Sequence, residues 1–235
     1  GAKSGVYVYV NGKEVGYSED AKSTAEFKLN KYLKAGKNSL VLKIFRWSTG
    51  AYLECQDFWR ISGIERDVFL FSQPKTHVQD FQVVSTLDDT YKNGIFKLAI
   101  NIAEPQNTTA AYELIDAQGK VVSQGNKSVN GKKINFEAEL ENVKTWTSEH
   151  PNLYKLLITL KEGDKVTEVI PYRVGFRRFE IKEIDEKGEN GKPYVCFFVN
   201  GQPIKLKGVN IHEHNPETGH YVTEELMRKD FELMK

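Results

Sequence analysis

Large apolar residues alternate with other residues along much of this chain, the two-residue period of strands that bury one face. In GVYVYVNGKEVGYS the alternating set is Val6, Val8 and Val10, and Asn11-Gly12 follows, the strongest short hairpin signal. Asn-Gly recurs from Asn93, Asn130, Asn190 and Asn200, each time between apolar or alternating segments. SLVLKIFRW (39–47) and DVFLFS (67–72) predict further strands, so residues 1–73 are expected to be strands without a clear helix.

Pro74 punctuates the pattern, and a second series of alternating segments follows at about 78–87, 94–102, 110–115, 133–140, 154–161 and 166–174. Short strands at this spacing predict an antiparallel sandwich of about 100 residues. After GFRRFEI the pattern changes. YVCFFVNGQPIKLKGVN predicts a hairpin whose second strand ends near Val209, and a polar loop then carries His212, Glu213 and His214. TEELMRKDFELMK predicts a helix, with Thr223 as N-cap and Glu224 and Glu225 in the first turn, where the helix dipole favours them. Met227, Phe231 and Met234 form its apolar stripe at i, i+4 and i+7. Strand, loop and helix open a βα unit, yet fewer than 60 residues follow the sandwich where a (β/α)8 barrel takes about 250. The chain is therefore expected to be an internal stretch of a larger protein.

Composition narrows the functional classes. Of 235 residues, 33 are Lys or Arg and 32 Asp or Glu, a net charge of +1. That balance removes the electrostatic case for nucleic acid or an anionic membrane as partner. No apolar run approaches the ~20 residues of a membrane helix. Cys55 and Cys196 stand in unrelated contexts, which argues against a disulfide framework or a zinc site built on CxxC pairs.

Three stretches carry candidate chemistry. His212-Glu213-His214 invites a zinc reading, but HExxH needs histidines four apart on a helix, and here Pro216 stands at that distance from His212. Sugar contact from a loop at the end of a barrel strand and plain loop structure both remain open. RWSTGAYLECQDFWRISGIERDV (46–68) sets Glu54, Asp57, Glu65 and Asp67 among Arg46, Arg60 and Arg66. A carboxylate pair for glycoside hydrolysis competes there with structural ion pairs, and the arginines favour the ion pairs. Asp20 lies in the polar loop YSEDAKSTAEF, where capping a turn is its simplest use.

Taken together, VNGKEVGYSEDAKSTAEF, the 46–68 stretch, EHPNLYKLLITL, VGFR and LKGVNIHEHNP resemble the β-galactosidases of glycoside hydrolase family 2, of the bacterial lactose-cleaving type. The resemblance implies a mainly β chain: part of a jelly-roll sugar-binding domain (1–73), an immunoglobulin-like β-sandwich (74–176) and the first βα elements of a catalytic (β/α)8 barrel (177–235). It implies retaining hydrolysis of terminal β-D-galactosides by two glutamates, assisted by Mg2+ and Na+. No residue here matches those glutamates or the Mg2+ ligands, so this stretch is expected to be inactive alone.

By the same resemblance Asp20, with Glu26-Phe27 in register, would contact the galactose 6-hydroxyl region and a Na+. His212, the first histidine of GVN-x-HEH-x-P, would border the galactosyl site and stabilise the transition state, while Glu213 and His214 order the loop. Ile211 departs from the arginine of the best-known members. The expected partner is a β-galactoside, with neither nucleic acid nor membrane, in a soluble cytoplasmic or periplasmic protein. Open sheet edges and the Met227/Phe231/Met234 stripe predict self-association. The rivals are a carbohydrate-binding or adhesin module built of sandwiches, and a family 2 β-glucuronidase or β-mannosidase sharing the plan.

Overall fold

Asn11 and Gly12 take φ of 52° and 78°, the left-handed pair that a two-residue hairpin turn requires. They sit in a computed structural model that describes residues 1–54 and 59–235. The described residues divide into two units, Gly1–Leu70 with Gly208–Lys235, and Phe71–Lys207.

In the first unit, β1 (Ala2–Lys3) is followed by β2 (Gly5–Val10), β3 (Lys13–Ser18) and β4 (Leu40–Phe45). The last three form an antiparallel sheet with β2 in the middle. Val6, Val8 and Val10 are buried on one face, and Tyr7 on the other packs against Tyr17 with ring centroids 4.4 Å apart. β5 (Gly63–Ile64) pairs with β1 and ties the end of the segment back to its start. One helical turn, α1 (Thr49–Leu53), departs from the all-strand expectation. The Gly50 N–H donates to Glu19 Oε2 at 2.6 Å, and a Cβ at Gly50 would stand 2.9 Å from the Glu19 carbonyl oxygen, so only glycine permits this approach.

The strand expected at 67–72 does not form, and residues 68–71 are exposed coil. Apolar composition marked a segment suited to burial, but a strand also needs a neighbour to share its ladder, and β5, just before it, is two residues long. α2 (Glu224–Met234) forms as expected, with the Leu226 N–H donating to Thr223 Oγ1 at 3.3 Å. Phe231 and Met234 of its stripe are exposed.

The second unit is a sandwich. β6 (His77–Leu87), β7 (Gly94–Ala103) and β10 (Lys133–Leu140) make one sheet, ordered β10-β7-β6. β8 (Thr108–Ile115), β9 (Val121–Ser128), β11 (Tyr154–Glu162) and β12 (Lys165–Val174) make the other, ordered β12-β11-β8-β9. Inward residues of both sheets share one core, among them Phe96, Leu98, Ile100, Leu114, Leu156 and Ile158. β13 (Phe179–Lys187), β14 (Pro193–Val199) and β15 (Gln202–Ile204) form a separate three-stranded sheet. The second strand of the expected hairpin thus ends at Ile204, well short of Val209, and residues 205–214 are coil.

Candidate functional site

A cavity of about 260 Å³ lies within the first unit. Its walls come from three places: the start of the chain, the stretch from Arg46 to Arg66, and residues 211–220. Each wall is held by local chemistry. Buried Ser4 shares its hydroxyl between the carbonyls of Phe45 (3.2 Å) and Arg46 (3.0 Å), and accepts from Ser48 Oγ at 2.9 Å. Glu54 Oε1 accepts the Ala21 N–H at 2.9 Å, joining the Asp20 loop to the end of α1. His220 is buried, with Nε2 2.9 Å from the Trp59 carbonyl oxygen and Nδ1 3.9 Å from Glu65 Oε1. Arg66 reaches across to the later segment, donating to the His220 carbonyl (3.3 Å) and to Glu213 Oε2 (3.5 Å). The Trp59 and His214 rings meet edge to face at 5.3 Å.

The residues singled out from sequence fall differently. His212 lines the cavity, and its carbonyl oxygen lies 2.9 Å from His214 Nδ1. Asp20 does not. Its Oδ1 accepts the N–H groups of Lys22 (2.9 Å) and Ser23 (3.1 Å) in a turn, and hydrogen bonds from the Ser23 side chain and these two backbone groups hold its carboxyl below the usual range. The neighbouring Lys22 lines the cavity, so the Asp20 loop reaches it although the Asp20 carboxylate is engaged elsewhere.

Of the arginines expected in ion pairs, Arg66 has Glu213. Arg46 and Arg60 have no carboxylate partner among the described residues and lie instead over the Trp47 ring, at 5.2 and 5.8 Å from its centroid. Asp57 and Cys55 fall outside the described residues, and the Cys196 thiol is half-buried on β14. Trp47, Trp59 and His220 were not foreseen as walls. A Trp-rich stretch amid arginines was the signal available for the first two; His220 left none.

Glu54 Oε2 and Glu65 Oε1 are buried without a hydrogen-bond partner among the described residues. No three His, Cys, Asp or Glu side chains gather as a metal site among those residues. No helix of the described residues is long and apolar enough to cross a membrane.

A strand-built first unit with a tryptophan- and arginine-lined cavity, and a second unit built on a sandwich, define a mainly β protein of more than one domain. Comparison with known proteins makes this specific. Three domain profiles of one family match in order: glycosyl hydrolases family 2, sugar binding domain, over residues 1–74; glycosyl hydrolases family 2 over 76–177; and glycosyl hydrolases family 2, TIM barrel domain, over 194–235. The chain belongs to glycosyl hydrolase family 2, and its fold is part of a jelly-roll sugar-binding domain, an immunoglobulin-like sandwich and the start of a TIM barrel. It is 40% identical over its whole length to a β-galactosidase of Streptococcus thermophilus and 38% to one of Halalkalibacterium halodurans. In each case it spans 22% of the longer protein. Among solved structures, an FMN-binding β-glucuronidase from Facaelibacterium prausnitzii L2-6 matches 99% of the chain with a TM-score of 0.84, the chain covering 36% of it. A β-glucuronidase from Ruminococcus gnavus matches 99% at 0.80, with 39% of that protein covered. Both are 22% identical and share the fold.

Proposed function

We propose that this chain is part of a retaining β-galactosidase, and that the cavity holding His212 contributes to its galactosyl site. One observation carries the reading. The two motifs most specific to the resemblance, 46–68 and 208–216, are far apart in sequence yet supply facing parts of one cavity. Relatives named β-galactosidase, 40% and 38% identical over the full chain, support the same substrate class. In this reading His212 offers hydrogen bonds to ring hydroxyls that strengthen as oxocarbenium character develops, while Trp47 and Trp59 supply apolar ring faces. The nucleophile and acid/base glutamates, and the Mg2+ ligands, have no counterpart in these 235 residues, so the chain alone is expected to be inactive. The Asp20 loop borders the cavity through Lys22, and in this reading Asp20 serves the galactose 6-hydroxyl region and a Na+.

The test is hydrolysis of aryl β-galactoside, β-glucuronide and β-mannoside by a chain extended through the whole barrel, with the 235-residue chain as control. Galactoside turnover by the long form alone is the expected result. Preference for another glycoside discards the substrate and keeps the family. Sugar binding without turnover of any of the three favours a binding module.

A further inference from the structure

Asn-Gly pairs begin at Asn11, Asn93, Asn130, Asn190 and Asn200, and asparagine is among the residues that decay chemically with age and heat. The decay is a ring closure. The glycine amide nitrogen gives up its proton to water and attacks the asparagine Cγ; the N–Cγ bond forms, the Cγ–Nδ2 bond breaks, and ammonia leaves. Water then opens the cyclic imide at either carbonyl, leaving aspartate or its β-linked isomer, isoaspartate. Glycine permits the closure because it has no side chain to crowd the ring. Closure needs a free asparagine side chain and a free glycine N–H, and each hydrogen bond that must break first slows it by about fivefold.

The fold ties four of these pairs and leaves one open. Asn11 Nδ2 donates to the Tyr32 carbonyl (2.9 Å) and to Asn38 Oδ1 (2.8 Å), and its Oδ1 accepts the Ser39 N–H (3.0 Å). Asn93 is held between Asp88 Oδ2 (2.9 Å) and the Asn142 N–H (3.1 Å), and Gly94 is buried on β7. Asn200 Nδ2 donates to the Trp146 carbonyl at 3.0 Å, and its Oδ1 accepts the Arg178 N–H at 2.9 Å. Asn190 Oδ1 accepts the Lys192 N–H at 3.0 Å, and the Gly191 N–H donates to the Gly188 carbonyl at 2.9 Å. Asn130 is different. It is exposed in the turn between β9 and β10, and neither its side chain nor the Gly131 N–H has a hydrogen-bond partner among the described residues. Gly131 takes φ of 100°, with nothing within 4 Å of where a Cβ would stand, so the ring has room to close.

We propose that Asn130 is the site at which this chain modifies itself, passing to aspartate and isoaspartate well ahead of the other four asparagines. Lys132 and Lys133 follow it, and a nearby cation favours loss of the glycine amide proton. Each event takes one unit from the net charge of +1. The site belongs to the second unit and stands whatever glycoside the first unit takes.

The test is a time course of the dilute folded chain at neutral and mildly alkaline pH, mapped by peptide mass spectrometry, with isoaspartate read by an isoaspartyl methyltransferase. Asn130 is expected to convert at least about fivefold faster than each of the other four, the slowing set by a single hydrogen bond, and faster at the higher pH. In urea, which removes the protecting hydrogen bonds, the rates should converge. Asn130→Gln should abolish the early acidic form and leave the urea midpoint unchanged. Conversion of any other Asn-Gly as fast as Asn130 in the folded chain, a lead that persists undiminished in urea, or an acidic form that accumulates at the wild-type rate in Asn130→Gln would overturn the inference.

Discussion

His212 and Gly125 show how differently single residues can matter in this chain. His212 is exposed at a cavity wall, with its carbonyl oxygen 2.9 Å from His214 Nδ1. In the extended chain, His212→Phe is expected to lower galactoside kcat/KM by about 100-fold or more, the scale of losing one transition-state hydrogen-bond donor, with the urea midpoint unchanged. Asp20→Ala tests the other carried-over residue, and the turn it caps predicts a loss of stability alongside any loss of activity. Gly125 is the reverse case. A Cβ there would stand 2.9 Å from the Tyr112 ring, which packs on Phe96 and Phe136 at centroid distances of 5.3 and 5.0 Å. Gly125→Ala should therefore destabilise the sandwich by about 1–3 kcal/mol through overpacking, read as a lower urea midpoint, and leave sugar binding alone.

At the scale of elements, the polar contacts of β13 set an acid limit. Glu180 Oε1 lies 3.0 Å from Arg178 Nη2 and 2.9 Å from Lys182 Nζ, and its Oε2 accepts from Tyr91 Oη at 2.7 Å. Hydrogen bonds from Lys182 and Tyr91, with the Arg178 charge behind them, hold the Glu180 carboxyl below its ordinary 4.5. A depressed folded value stabilises above the unfolded one and loses that stabilisation as pH falls through the folded value. The stability gap between the wild-type chain and Glu180→Gln should therefore be full near neutrality and close below pH 4.5, checked by urea unfolding across that range. For α2, Thr223→Ala should cost about 1 kcal/mol, seen as faster amide exchange in the first turn.

The same scale shows what the sequence made legible. Alternation located β6, β7, β8, β10, β11 and β12; β7, β8, β10 and β11 bury one face in the shared core, whereas β6 and β12 reach it at fewer positions. β9, VVSQGNKS, was invisible: it pairs with β8 along one edge and stays largely exposed, so ladder hydrogen bonds hold it and hydrophobicity says nothing. β13 was hidden for the same reason, since charged residues occupy much of it. The 67–72 stretch erred the other way, apolar but without a ladder. For the site, the motifs pointed to His212 and the arginines, whereas His220 could not be read as a wall because its role comes from meeting Trp59 and Glu65 through tertiary contact.

On the scale of the whole molecule, exposed apolar surface dominates what is expected of the isolated chain. Phe231, Leu233 and Met234 on α2, Leu206 and Val209 before the histidine loop, and Ile181 and Val195 on the β13–β14 sheet are all exposed. Patches of this kind drive association, as do unpaired strand edges. Light scattering at high concentration should give a mass above the 26.8 kDa of one chain, falling towards it on dilution. A strict monomer throughout would count against the self-association expected of this stretch. The cavity also has a history in time. Its first wall is complete in sequence at Arg66, but the segment that faces it arrives only with residues 211–220, after the entire sandwich has been made. At about 5–20 residues per second, a ribosome takes roughly 8–30 s to synthesise that interval, so a nascent chain carries the arginine wall open to the cytosol or a chaperone while its neighbour folds.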